Sequence, residues 1–174
     1  NQILYIPVSD SYEALATKVF YALTIISLAG VPRYVVKLDD DIRLDSINVF
    51  GQYLDSLSGL GVSYAGRAVG SLCHADQWHG WHLGKCSDPL LHSRGYQFPT
   101  PPSYAAGGYG YVLGAKGLDA CRYMFLAMKS FFDVDSMGME DMYVGHAMNA
   151  SNISLSSKGI VMPSLALPGL RQVV

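Results

Sequence analysis

The chain has 174 residues, of which 50% are hydrophobic and 15% charged, a composition typical of a globular domain with a substantial core. Its formal net charge of -2 lacks the basic excess that nucleic-acid binding usually requires, so we expect no nucleic-acid partner. The most apolar run, 22–29, is far shorter than the roughly 20 residues that cross a bilayer, so we expect no membrane span in this segment. We expect one domain over 1–174, either complete or part of a longer chain.

Strand and helix patterns alternate along the chain. Apolar residues spaced three and four apart predict helices, and short β-branched runs predict strands. In chain order these are a strand at 2–8, a helix at 12–29, a strand at 34–38, a helix at 45–57, a strand at 62–65, helices at 115–129 and 140–148, and weak strands at 153–155 and 159–162. Such alternation predicts an α/β fold with a mostly parallel sheet flanked by helices.

Three consecutive aspartates, Asp39, Asp40 and Asp41, directly follow the predicted strand at 34–38. Adjacent carboxylates repel one another, and a divalent cation such as Mg²⁺ or Mn²⁺ relieves that repulsion because it prefers oxygen ligands. A cation held by one or two carboxylates often binds a diphosphate at its open positions. The position therefore favours a metal–diphosphate site, and a solvated acidic turn before the next helix is the alternative.

Four sequence blocks, in the same order, carry a family resemblance. They are DSYEALATKV at 10–19, RYVVKLDDD at 33–41, YAAGGYGYVLG at 104–114 and MEDMYVG at 139–145. Together they are similar to the motifs of the β-1,3-galactosyltransferase and Fringe-like glycosyltransferases. The resemblance implies a GT-A-like (Rossmann-like) fold and inverting, metal-dependent transfer of a hexose. The implied donor is a nucleotide-diphosphate sugar, with a UDP-sugar expected, and the implied acceptor is a hydroxyl of a glycan or glycoprotein.

The resemblance also implies roles for single residues. Asp41, with Asp39, would bind Mn²⁺ or Mg²⁺, and Asp141 would be the general base. A charge that only stabilises a helix N-terminus is the alternative for Asp141. Glycines near 107–110 permit close approach of the backbone to a sugar. The predicted substrate-binding residues are Asp40, Gly107, Gly108, Gly110, Tyr111, Glu140, Trp78, Trp81 and Lys85.

The segment WHGWHLGKC combines groups that suit sugar binding. The faces of Trp78 and Trp81 can stack on sugar rings, and Lys85 can neutralise a phosphate. A separate metal site at His79 and His82 is the alternative, although the spacing supplies no tidy third ligand. We therefore expect this segment to have a structural or acceptor-side role.

Family members usually carry a further metal-binding histidine well after the ED block, and the last histidine of this chain is His146. Either His146 is the third metal ligand, or a histidine lies beyond Val174, or diphosphate and water complete the shell. In family members a nucleotide-binding strand and helix usually precede the DSY block, and we expect that part to be missing or very short here. We therefore expect a GT-A-like fold that lacks its first β–α unit.

Two other functions fit parts of the pattern. One is a DxD phosphohydrolase of the haloacid dehalogenase type, although Arg43 stands where Thr or Val is expected. The other is a non-catalytic carbohydrate-binding or assembly subunit with the same fold. A eukaryotic family member would reside in the Golgi or ER lumen, with any membrane anchor outside this segment. The sequence leaves the compartment open, as it does the disulfide state of Cys73, Cys86 and Cys121.

Overall fold

The computed structural model describes residues 3–30, 33–70, 85, 103–132, 140–157 and 167–172. The helices are α1 (Leu15–Leu28), α2 (Ile47–Gly59), α3 (Ala115–Ala127), α4 (Lys129–Phe132) and α5 (Glu140–Ala150). The strands are β1 (Tyr34–Lys37), β2 (Ile42–Leu44), β3 (Tyr64–Gly66), β4 (Ala68–Gly70), β5 (Ser103–Ala105), β6 (Tyr111–Gly114) and β7 (Leu170–Gln172), and a 3₁₀ helix spans Gly107–Tyr109. Within these ranges no helix is long and apolar enough to span a bilayer.

A three-stranded sheet with the order β1–β6–β3 lies at the centre of the described fold. β6 is antiparallel to both neighbours, so β1 and β3 run in the same direction on either side of it. The pairs β2–β7 and β4–β5 are also antiparallel. The mixed α/β class is therefore correct, but the prediction of a mostly parallel sheet is wrong for the described strands. β6 lies between β1 and β3 and pairs with both.

The sheet separates two hydrophobic layers, because successive side chains of a strand point to opposite faces. On β6, Tyr111 joins the core formed with α1, α3 and α5, whereas Val112 joins the layer formed with α2. On β1, Val35 packs toward the first layer and Val36 toward the second. The same alternation places Lys37 on the face that α5 covers, and its Nζ atom lies 5.9 Å from the centroid of the Tyr111 ring.

The predicted helices are confirmed, with shifts of a few residues at their ends. α1, α2, α3 and α5 overlap the predictions at 12–29, 45–57, 115–129 and 140–148. α2 begins after Ser46, whose side-chain oxygen accepts a hydrogen bond of 3.3 Å from the backbone N–H of Val49. This is the usual interaction of a serine N-cap, and it stabilises the helix start that follows β2.

The strand predictions are less accurate. β1 and β3 correspond to the predictions at 34–38 and 62–65, but the predicted strand at 2–8 is wrong because 3–8 forms no strand and Ile3 and Tyr5 are exposed. The predicted strand at 153–155 is also absent, although the following residue forms a parallel bridge to Ala65. The prediction at 159–162 lies outside the described residues. The central strand β6 was missed because its sequence is read locally as a glycine-rich turn.

Candidate active site

A buried lysine, Lys37, joins the aspartate turn to the acidic pair that begins α5. Its Nζ atom forms an ion pair with Asp39 and lies 2.9 Å from Oε1 of Glu140. The Lys37 and Glu140 side chains are 13% and 6% exposed, whereas that of Asp39 is 40% exposed. We call these three residues the lysine cluster. The cluster fixes the aspartate turn against the N-terminus of α5.

The charges of the lysine cluster do not balance. Burial alone disfavours the charged ammonium, but the carboxylates of Glu140 and Asp39 outweigh burial and raise the pKa of Lys37 above its ordinary value. Lys37 therefore stays protonated and neutralises one carboxylate, leaving a local excess of negative charge. Lys37 was not among the predicted site residues. A lysine that ends an apolar strand just before an acidic run is the signal that could have found it.

Asp141 faces the glycine turn that precedes β6. Its Oδ2 atom accepts a hydrogen bond of 2.9 Å from the backbone N–H of Gly107, and its Oδ1 accepts one of 2.9 Å from that of Met142. Lys37 donates to the carbonyl oxygen of the same glycine at 3.4 Å. Each carboxylate oxygen has a further lone pair, so the two bonds orient Asp141 and still leave it able to accept a proton.

The surroundings of Asp141 change its acidity. Burial and the neighbouring Glu140 carboxylate raise the pKa of Asp141 to about 7, against the opposing effects of the Gly107 N–H and the Lys37 cation. The residue as a whole is nevertheless only half-buried. A carboxylate with this pKa is a better proton acceptor near neutral pH than an ordinary aspartate. The geometry therefore suits the general-base role that the resemblance implies.

Two glycines, Gly107 and Gly108, lie between the aspartate turn and the start of α5. A Cβ atom at Gly107 would lie 2.5 Å from Oε1 of Glu140 and 3.3 Å from Cβ of Asp141. A Cβ atom at Gly108 would lie 3.7 Å from Oδ2 of Asp39. Asp39 and Asp141 thus lie beside two consecutive glycines, and the exposed backbone of Gly108 is open to a ligand.

Gly110 is the last glycine of this turn, and its backbone conformation favours glycine. Its φ angle is +81°, a conformation that L side chains rarely adopt, and it directs the chain into β6. A Cβ atom here would lie 2.8 Å from Cδ2 of Leu38. Gly110 is also buried, so its role is to shape the turn rather than to present backbone to a substrate.

The three aspartates form a turn between β1 and β2, closed by a hydrogen bond of 3.2 Å from the N–H of Ile42 to the carbonyl of Asp39. Asp40 is exposed at its tip, and Asp39 and Asp41 are half-buried. The ion pair to Lys37 and the shielding of Oδ1 of Asp41 from solvent distinguish this turn from a fully solvated acidic turn.

The donor set fits a loosely held cation rather than a closed metal site. Across the described parts of the chain, no three His, Cys, Asp or Glu side chains gather as a metal centre. Asp39 and Asp41 are oxygen donors in a region of excess negative charge, and Mg²⁺ often takes only one or two carboxylates, with phosphates and water completing its shell. His146 is half-buried and points about 140° around α5 from Asp141, at roughly 100° per residue. Its role as third ligand stays a prediction.

Two predicted substrate-binding residues lie inside the protein. Tyr111 is fully buried, and its ring packs edge-to-face on that of Tyr64 with 6.3 Å between centroids. Glu140 is 5% exposed and faces Lys37. Because neither side chain presents a surface, their positions indicate a supporting role beneath the site instead of direct contact with a substrate.

The remaining predicted substrate-binding residues are Lys85, Trp78 and Trp81. Lys85 has its Nζ atom 5.3 Å from the centroid of the Tyr12 ring, and its contact with a phosphate stays a prediction. Trp78 and Trp81 fall outside the described residues, as do both histidines of the WHGWHLGKC segment. Among the cysteines, Cys121 is a buried free thiol, and the other two also fall outside the described residues.

Comparison with known protein families identifies the class of protein as a glycosyltransferase. The model of the family described as Galactosyltransferase matches residues 1–158, which include the aspartate turn, the glycine turn and the start of α5. The chain belongs to this galactosyltransferase family, and the resemblance to β-1,3-galactosyltransferases is confirmed. Family membership implies a sugar donor and a glycan acceptor. No curated protein matches the chain.

Proposed function

We propose that this chain is the catalytic domain of an inverting, metal-dependent hexosyltransferase with a GT-A-like fold, which moves a hexose from a UDP-sugar to a hydroxyl of a glycan or glycoconjugate. The observation that carries the proposal is the lysine cluster. It holds Asp39 of the aspartate turn and the Glu140–Asp141 pair beside the bare backbone of Gly107 and Gly108. A proton acceptor and an acidic, partly open turn therefore belong to one site.

The aspartate turn is the donor side of this site. Asp39 and Asp41 would hold Mn²⁺ or Mg²⁺ together with the donor diphosphate, and Asp40 at the exposed tip would contact the donor or the water around the metal. When bound, the cation supplies positive charge that stabilises the departing nucleotide diphosphate. The excess of carboxylates over Lys37 makes this region attractive to a cation.

Asp141 is the reacting group of the protein. Its carboxylate accepts the proton of the acceptor hydroxyl while that oxygen forms a bond to the anomeric carbon. The bond from the anomeric carbon to the diphosphate oxygen breaks on the opposite face, which inverts the configuration through a transition state with oxocarbenium character. The N–H groups of Gly107 and Met142 hold the carboxylate in position during this transfer. Lys37 and Glu140 act by positioning Asp141 and setting its charge.

A donor screen tests the proposal. The protein is incubated with a panel of UDP-sugars, an acceptor glycan panel and Mn²⁺, and nucleotide release is measured with and without a chelator. We expect release to require the metal, and Asp141→Asn and Asp41→Ala each to reduce it by at least about 100-fold. Asp55→Asn is the matched control, because Asp55 forms an exposed ion pair with Arg33 and should leave release unchanged. Unchanged release in Asp141→Asn would refute the base assignment.

The pH dependence of the same assay tests the role of Asp141 independently. A general base must be ionised, and burial with Glu140 raises the pKa of Asp141 to about 7. We therefore expect kcat/KM to fall as the pH decreases through about 7. This acid limb of the pH profile should disappear from the residual activity of Asp141→Asn. A rate that stays constant down to pH 5 would contradict the assignment.

The family match weakens the phosphohydrolase alternative, because it supports sugar transfer. Hydrolysis of a phosphate ester without any sugar transfer would restore that alternative. Sugar binding without nucleotide release in the presence of Mn²⁺ would instead favour the non-catalytic alternative.

A further inference from the structure

A cavity of about 500 Å³ lies along α5, away from the lysine cluster. It is bounded by the C-terminal half of α5, the start of β5 and the turn that follows α5, and we call it the α5 cavity. Its volume is within the range of roughly 300–1,000 Å³ found for sites that bind small organic molecules. The reaction proposed above leaves it without a role.

The lining of the α5 cavity is polar but uncharged. Ser103 and Ser154 bring hydroxyl groups and Asn149 and Asn152 bring carboxamides, and all four residues are exposed. Each of these groups can both donate and accept hydrogen bonds. None of the described residues that line the cavity carries a formal charge, and the rest of the wall, which includes Tyr64, is largely apolar. Groups of this kind complement the hydroxyls and carbon faces of a sugar better than a phosphate or a metal ion.

The α5 cavity lies on the same side of α5 as Asp141. Asn149 comes eight residues after Asp141, which at 1.5 Å and 100° per residue places it about 12 Å along the helix and about 80° around it. Gly145, which also lines the cavity, is buried between them about one turn after Asp141. The proposed base and the cavity are therefore about 12 Å apart along the helix axis.

β5 and the glycine turn after it also extend from the α5 cavity to Asp141. Ser103 lines the α5 cavity, and Gly107, four residues later, donates its backbone N–H to Asp141. α5 and β5 pack against each other over this distance. The cavity and the reacting group thus lie at opposite ends of this packed pair of elements, at a separation that suits a short chain of linked sugars.

We infer that the α5 cavity binds a sugar unit of the acceptor glycan that lies beyond the unit receiving the hexose. The inference rests on the proposed function, because that function places the reactive acceptor hydroxyl at Asp141. The acceptor then extends from Asp141 toward the cavity, and a later unit contacts the hydroxyls and carboxamides of the cavity. The cavity consequently selects acceptors by length.

Two acceptor series of increasing length test this inference. The first is methyl β-galactoside, lactose and lacto-N-tetraose, and the second is N-acetylglucosamine, chitobiose and chitotriose, each with Mn²⁺ and the UDP-sugar selected by the donor screen. We expect the longest member of at least one series to have a KM at least about tenfold below that of its monosaccharide, the scale of one or two net hydrogen bonds, with a similar kcat.

The decisive variant combines Asn149→Ala with Asn152→Gly, which removes both carboxamides. Asn152 has a φ angle of 54°, a conformation that glycine adopts readily, so the turn after α5 is retained. We expect this variant to lose the advantage of the longest acceptor and to keep the KM of the monosaccharide. Both asparagines also begin Asn-x-Ser sequences, so the proteins are made in a host without N-glycosylation. Ser151→Ala, next to the cavity but not lining it, is the matched control and should behave as wild type.

Equal KM values for all lengths in the wild type, or a length advantage that survives the double variant, would overturn the inference. Loss of all transfer would instead be a failure of the proposed function. In that case, saturation-transfer NMR with chitotriose and lacto-N-tetraose decides the question for the cavity. Binding to the wild type that the double variant lacks would support it, and binding that is absent or equal in both proteins would overturn it.

Discussion

The aspartate turn and the Glu140–Asp141 pair contain the same kind of side chain in different surroundings. Asp40 is exposed and its neighbours are half-buried, whereas Glu140 is 5% exposed. Burial and Glu140 together raise the pKa of Asp141 to about 7. Exposed carboxylates suit a hydrated cation and its diphosphate, and a partly desolvated carboxylate suits proton transfer. The comparison shows that the surroundings of a carboxylate, more than its residue type, determine whether it suits cation binding or proton transfer.

Replacing Lys37 should break the connection between the two acidic segments and give the largest effect. Lys37→Met keeps most of the side-chain volume but leaves the buried Glu140 carboxylate without its cation. Removal of one partner of a buried ion pair typically costs roughly 3–5 kcal/mol. We expect the free energy of unfolding, measured by urea denaturation, to fall on that scale.

The matched control for Lys37→Met is Arg33→Met. It breaks the ion pair with Asp55 at the surface, where the side chains are 67% and 77% exposed. Such pairs contribute less than about 1 kcal/mol, so this variant should be nearly as stable as the wild type. Equal losses in both variants would show that Lys37 does not hold a buried carboxylate.

The two glycines beside the acidic segments should respond differently to the same substitution. In Gly107→Ala the new Cβ would lie 2.5 Å from Oε1 of Glu140, so the Glu140–Asp141 side must move. In Gly108→Ala the nearest atom, Oδ2 of Asp39, is at an ordinary contact distance of 3.7 Å. We expect nucleotide release to fall about 100-fold in Gly107→Ala, since small misplacements of a catalytic group have effects of this size. Gly108→Ala should lose much less, and the reverse order would be inconsistent with the geometry.

The smallest effect is a change in pH dependence. The Glu140 carboxylate raises the pKa of Asp141, so Glu140→Gln should lower it. The acid limb of kcat/KM should then move to lower pH, because Asp141 stays ionised in more acidic solution. The pH profile of kcat/KM, measured in the wild type, Glu140→Gln and the surface control Asp55→Asn, tests this shift of the acid limb. An acid limb at the wild-type pH in Glu140→Gln would mean that the pair is not electrostatically coupled.

Helix periodicity was sufficient to predict the helices, because each helix carries its apolar face within a continuous stretch of sequence. The sheet was harder to predict. β6 is a four-residue strand after a glycine turn, and only its pairing with β1 and β3 gives it a place at the centre of the sheet. Pairing between distant segments has no local signal, so the antiparallel insertion could not be derived from spacing.

The acidic residues of the site were predictable from their motifs, but their arrangement was not. Asp39 and Asp141 stood out as members of the DDD and ED blocks. Their meeting depends on Lys37, whose direction follows from its position after Val36 in β1 and from the helix that covers that face. Tyr111 was predicted as a substrate contact, yet its place on β6 puts it in the core.

Calorimetric titration of UDP into the protein, with and without Mn²⁺, tests the division between the two acidic segments most directly. We predict that the wild type binds UDP tightly only with Mn²⁺, that Asp41→Ala loses this metal-dependent binding, and that Asp141→Asn retains it while losing turnover. Metal-dependent binding that survives in Asp41→Ala, or that disappears in Asp141→Asn, would contradict the assignment of donor binding to the turn and proton transfer to α5.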